Sequence, residues 1–292
     1  MYSIMVDLYS LKTVIQQNFI VSPVAAADSS EQTIKPFILT NKSANMNQNL
    51  RFKTMMFFLL CMLVPFAGMS QTKNLISTQR VFPKMDKVLE FEKALAAHAQ
   101  KYHTGNAFWR VFAIQSGPDM GGYHITEGPT SWEAEDTRGN LGNEHNLDWN
   151  KNVAIYLTDR QSGGYSVYID SLSTVALGDF SDKININHIY PKVGKGDNVV
   201  NIIKKLKKNW VAVGVTVAVY SASSSGKAQY TLVTRYKQGL KERAAGFRKP
   251  FRETYEAANG EGSYVQYLKD IAEFVDESWS ELLFLRADLS SK

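Results

Sequence analysis

The 292-residue chain holds one cysteine, Cys61, and eight prolines. A single thiol excludes an intrachain disulfide, a multi-thiolate metal site and a Cys-x-x-Cys redox centre. No apolar run reaches the roughly 20 residues that a membrane-spanning helix needs. Neither sign of charge dominates, with 33 Lys and Arg against 28 Asp and Glu. Three short catalytic signatures are also absent: a glycine-rich phosphate loop, an H-E-x-x-H zinc helix and a G-x-S-x-G nucleophile elbow.

What is present begins at Met46. Asn47 to Lys53 is a short polar segment containing Arg51 and Lys53, and Met55 to Ala67 is uncharged and apolar. Gly68-Met69-Ser70 follows with small residues at the positions a signal peptidase reads. Residues 46–70 are therefore expected to be a secretory signal peptide, with Gln71 as the mature N-terminus and a periplasmic or secreted product. Cys61 sits in the middle of the apolar run after the bulky Leu60, which argues against lipid attachment. Residues 1–45 precede the signal and are read as an untranslated or disordered extension.

The mature part loses Cys61 and keeps 28 basic and 25 acidic residues. That balance does not suggest a nucleic-acid partner. Lys204, Lys205, Lys207 and Lys208 cluster on one expected helix, and a second basic group surrounds residues 235–252; both read as solvated faces.

The mature chain aligns on itself. VFPK at 81–84 matches IYPK at 189–192, and Tyr123 matches Tyr230. WNKNVAIYLTD at 149–159 matches YLKDIAEFVDE at 267–277, and the same offset carries Asp170 onto Asp288 and Ser173 onto Ser291. The offset grows between Gln238 and Gly262, where an inserted loop is expected. Two repeats follow, 71–178 and 179–292.

Each repeat reads strand, helix, strand, strand, helix, strand. In the first, Ile76–Phe82 is extended and Asp86 is expected to cap a helix carrying Val88, Phe91, Leu95, His98 and Tyr102 on one face. Ala107–Gln115 and Gly122–Glu127 form a hairpin. A second helix carrying Trp149, Val153, Tyr156 and Leu157 is expected to break at Gly163-Gly164, with Tyr165–Ile169 as the last strand. In the second, Ile184–Tyr190 precedes a helix from Asp197. The run VAVGVTVAVY at 211–220 reads as a strand and pairs with Gln229–Tyr236. Ser263 and Gln266 suggest a capping box for the last helix, and Glu281–Arg286 closes the repeat.

This order is the split βαβ, ferredoxin-like one. Its duplication, with paired Phe82-Pro83 and Tyr190-Pro191 strand ends, resembles the dimeric α/β-barrel superfamily of antibiotic-biosynthesis-type monooxygenases, NIPSNAP-like proteins and chlorite-dismutase-like haem proteins. The resemblance implies an α+β fold, two tandem βαββαβ units packed sheet to sheet as a fused dimeric barrel. It carries fold rather than activity. The Asn, Trp and His set of haem-degrading members does not align, and no axial-histidine helix is evident. The cofactor is therefore left unassigned.

Candidate site residues are mostly positions where the copies differ. Trp109, Tyr123, His124, His145, Asp148 and Trp149 align with Val217, Tyr230, Thr231, Ser263, Gln266 and Tyr267, so a site is expected in the first copy. Trp109, Tyr123 and Trp149 suit a small apolar or planar ligand. His145 and Asp148 stand three apart at a helix start, where a divalent metal or an acid–base pair could use them with His124; a helix cap through Asn146 or Asp148 is favoured, because two ligand-type side chains are too few for a metal. No metal is therefore expected. The favoured function is small-ligand binding, and the alternative is a cofactor-independent or haem-dependent oxidoreductase. Further self-association is compatible with either.

Overall fold

The computed structural model describes residues 72–138, 141–224 and 226–292. The expectations for residues 1–45, for the signal segment 46–70 and for Gln71 lie outside these. The first repeat comprises β1 (Leu75–Pro83), α1 (Val88–Tyr102), β2 (Trp109–Ile114), β3 (Tyr123–Thr130), α2 (Trp132–Arg138), α3 (Asn143–Asp148) and β4 (Leu157–Tyr168). Between α3 and β4 the helical path continues as a π turn, Trp149–Val153, and a 3-10 turn, Ala154–Tyr156. The second comprises β5 (Lys183–Pro191), α4 (Gly196–Ala212), β6 (Val217–Ala222), β7 (Tyr230–Arg235), α5 (Phe251–Asn259), α6 (Ser263–Phe274) and β8 (Val275–Leu285).

The strands close into an eight-stranded antiparallel barrel in the order β1-β3-β2-β8-β5-β7-β6-β4. Each repeat supplies a sheet of its own, β4-β1-β3-β2 or β8-β5-β7-β6. Two short seams join them. Phe112, Ala113 and Ile114 pair with Leu285, Phe284 and Leu283, and Ser166, Val167 and Tyr168 pair with Ala222, Ser221 and Tyr220. This is the fused dimeric α/β barrel.

Strand alternation gives every strand an outer face under helices and an inner face toward the barrel axis. Phe91 and Leu95 of α1 are fully buried against Val111 and Ile125, as Val199 and Ile203 of α4 are against Val217 and Leu232. Each such side chain contributes about 1.5–3 kcal/mol. Inside the barrel, Phe112, Ile114, Ile184, Ile186 and Leu283 form a separate apolar cluster.

The segment after each repeat's last strand crosses to the other repeat. Ser173 Oγ accepts from Val219 N (2.9 Å) and Thr174 Oγ1 from Val217 N (2.8 Å). Reciprocally, Ser290 Oγ accepts from Val111 N and Ser291 Oγ from Trp109 N, both at 3.0 Å.

Several local expectations are corrected. Residues 211–212 finish α4 rather than starting a strand. Gly214 (φ +66°) ends the helix in a Schellman turn, with Val215 N bonded to Trp210 O at 2.9 Å. A run of Val and Ala suits either state, and the glycine decides between them. Gly163-Gly164 does not break a helix but lies inside β4. A Cβ on Gly163 would stand 2.7 Å from Thr78 O, so close backbone approach explains that glycine, whereas one on Gly164 would meet only the side chain of Ser224. Asp86 sits in a 3-10 turn (Met85–Lys87) and caps nothing by its side chain. Ser263 lies within α6 behind Gly262 (φ +73°), and the expected capping box does not form. The inserted segment 238–262 contains α5, whose Tyr255 is fully buried in the second repeat's core. β8 begins at Val275, well before Glu281.

Candidate ligand cavity

The barrel interior holds a cavity of about 350 Å³, partly open, whose wall draws on both repeats. The β5–β7 register sets its layers: Ile184 faces Arg235, Ile186 faces Val233, and His188 faces Thr231. The chain thus places an apolar middle, with Phe112 and Tyr220, between two polar ends.

At one end Arg235 is 2% exposed. It donates to Ala176 O (2.8 Å), Leu177 O (3.2 Å), Tyr220 Oη (3.1 Å) and Asp179 O. These bonds fasten the inter-repeat segment over the barrel.

At the other end Glu281 of β8 is 1% exposed. It accepts from His188 Nε2 (2.7 Å) and from both terminal nitrogens of Arg80, Nη1 at 3.0 Å. Burial would raise the Glu281 carboxyl, but the hydrogen bonds from His188 and Arg80 overcome this and hold it at about 2. Arg80 also reaches Asp119 (2.5 Å), whose second oxygen pairs with Arg160. His188 stacks on Trp279 with centroids 3.8 Å apart, and its Nδ1 faces the amide nitrogen of Gln229 at 2.5 Å. An amide donor there assigns the proton to Nε2. His124, on the same inner face, is pushed down to about 3, by burial first and then by the Arg80 charge, and is neutral at pH 7.

The six sequence-derived candidates do not share one site. His124 lines the cavity. Trp109 does not join it, because strand parity puts the two residues on opposite faces of the sheet. Tyr123 packs on Phe91 beneath α1 and donates to Glu92 Oε1 at 2.5 Å; burial, and then that carboxylate, raise its phenol. Trp109, His145, Asp148 and Trp149 do gather, on the outer face with His98 and His103. Asp148 is no cap there, since its carboxylate takes His98 Nδ1 and Asn152 Nδ2. The cavity draws its lining from both repeats. Sequence reasoning passed over Arg80, Gln229, Trp279 and Glu281. Charged residues at inward positions of strands, Arg80 and Glu281, were the available signal.

Both ring nitrogens of His188 are engaged, which leaves it no free nitrogen for a haem iron.

No family model and no curated protein matches the chain. Solved structures align with it at low identity. A candidate monooxygenase from Lactobacillus acidophilus NCFM is 11% identical, covering 75% of this chain and 95% of its own, with a TM-score of 0.42. An anthrone oxidase-like protein is 13% identical, covering 74% and 92%, with a TM-score of 0.48. A mutant chlorite dismutase from Candidatus Nitrospira defluvii is 7% identical, covering 74% and 92%, with a TM-score of 0.41.

Proposed function

We propose that this protein binds a small, largely apolar or planar molecule inside its barrel. The supporting observation is the 350 Å³ cavity in the barrel interior, with an apolar middle and a few fixed polar groups at its ends. Ile186, Phe112 and Val233 would take the body of such a ligand. Thr231 and Gln229 would take a polar substituent beside the His188–Glu281 pair.

The test uses an environment-sensitive anilinonaphthalene dye. The dye is expected to bind with one-to-one saturation, and Val233→Trp, which fills the middle layer, to abolish the signal while the thermal melt stays cooperative. Undiminished binding in Val233→Trp overturns the reading. A cofactor-independent or haem-dependent oxidoreductase is the competing reading. Oxygen uptake with quinols and a haem titration separate the two, and neither is expected to respond.

The protein is further proposed to act after export, because basic residues, an apolar run and small residues follow one another from Met46 to Ser70. N-terminal sequencing of native protein should begin at Gln71, and a chain beginning at Met1 overturns this. No helix among the described residues is long and apolar enough to cross a membrane.

A further inference from the structure

Three histidines distant in sequence meet on the outer face of the first repeat. His98 comes from α1, His103 from just beyond its end, and His145 from α3. Their ring centroids stand 4.8, 5.3 and 5.3 Å apart, and one donor nitrogen from each lies within 4.8 Å of the others.

Each Nδ1 faces an oxygen: His98 bonds Asp148 Oδ2 (2.7 Å) and His145 bonds Asn146 Oδ1 (3.1 Å), while His103, stacked on Trp109 with centroids 3.4 Å apart, has Glu127 Oε2 at 3.5 Å without a hydrogen bond. Glu127 is itself fixed by Trp109 Nε1 (2.7 Å) and Arg138 (2.9 Å). The Nε2 atoms are what remain. Those of His103 and His145 face each other at 3.3 Å, and that of His98 is buried without a hydrogen-bond partner. Bonds of about 2.0–2.1 Å in a tetrahedron place ligand nitrogens about 3.3 Å apart, so one edge of such a site already exists. Closing a separation of 4.8 Å to that length needs a shift of roughly 1.5 Å.

Packing does not require these residues. At the positions equivalent to His98 and His145 the second repeat carries Leu206 and Ser263, and Leu206 is buried in the corresponding core. The same fold is thus built there without imidazole. A π turn also begins at Trp149, immediately after Asp148, a local irregularity that often accompanies functional sites.

We propose that His98, His103 and His145 form a binding site for a divalent transition-metal ion of the zinc class, with Asp148 and Glu127 orienting two of the rings. Three neutral imidazoles without a thiolate suit zinc, cobalt, nickel or copper and not the oxygen-seeking magnesium or calcium. Carboxylates behind the ligating rings fix tautomer and direction. Three protein ligands leave a fourth position on the His145 side, where water or an anion completes the sphere. The site lies outside the barrel, so it does not depend on the cavity's having a ligand.

Equilibrium dialysis of the untagged protein against zinc alone, with elemental analysis, should find one ion per chain. Cobalt should give the intense visible bands of a tetrahedral centre. His145→Ser and His98→Leu, which borrow the second repeat's residues, should abolish both signals while leaving the melting temperature in chelator close to that of the parent. Asp148→Asn should weaken zinc binding by about 10- to 100-fold. His145→Ser alters a half-buried side chain and keeps the test open if His98→Leu misfolds. Absence of stoichiometric zinc in the parent, or parental affinity in His145→Ser, overturns the proposal.

Discussion

Replacing Arg80 with Met should cost about 3–5 kcal/mol of stability, the usual penalty for leaving a buried charge without its partner. The Glu281 side chain has no exposure, and Arg80 supplies two of its hydrogen bonds. Without the guanidinium, the carboxylate keeps only His188 within a low-dielectric wall, and Asp119 keeps only Arg160. The desolvation that Arg80 offsets then falls on the folded state alone. Arg80→Met/Glu281→Leu removes both charges and should recover most of the loss, since apolar replacement of a whole buried pair is often neutral. Urea unfolding of the parent, both single variants and the double variant measures the coupling. A single-variant loss below about 1 kcal/mol would mean that the network contributes no more than an exposed pair.

Acid should unfold this protein from a pH well above the carboxylate range. His124 is neutral in the barrel wall and takes a proton only near pH 3, whereas an unfolded histidine does so near 6.5. Between those values His124 by itself makes the unfolded chain bind one more proton than the folded chain, so its contribution lowers stability by about 1.4 kcal/mol for each unit by which the pH falls. Glu281 works in the same direction at lower pH. Its folded value of about 2 gives stability that is full above the ordinary carboxylate range and is lost as pH falls toward 2. Chemical denaturation at pH 7, 6, 5 and 4 should show the slope, and His124→Gln should flatten it above pH 4. Equal slopes in parent and variant would place the acid sensitivity elsewhere.

The barrel was legible because its causes are periodic. Phe91, Leu95 and His98 share a helical face, and matching positions recur about 108 residues later, so element order and duplication could be read from one chain. The shift in offset from 108 to 118 marked the insertion, though not that it contains α5. Boundaries were missed where one residue serves two geometries. Gly163 looks like a helix breaker but marks backbone contact, and Val211 looks like strand but ends a helix. The site was less legible for a different reason. His98 and His103 are near each other in sequence, but their meeting with His145 depends on the return of α3 across the sheet. Likewise Arg80 and Glu281 are 201 residues apart and become partners only when the barrel closes.

The exchanged hydroxyl contacts have a consequence for the chain's history. Ser173 and Thr174 of the first repeat complete an edge strand of the second, and Ser290 and Ser291 of the second complete an edge strand of the first. An ancestor made of two separate subunits could have parted and reassembled freely. In the present chain each half finishes its neighbour's strand with its own tail, while the halves have diverged into unlike partners. The duplication has become an interdependence, and neither half remains a spare copy of the other.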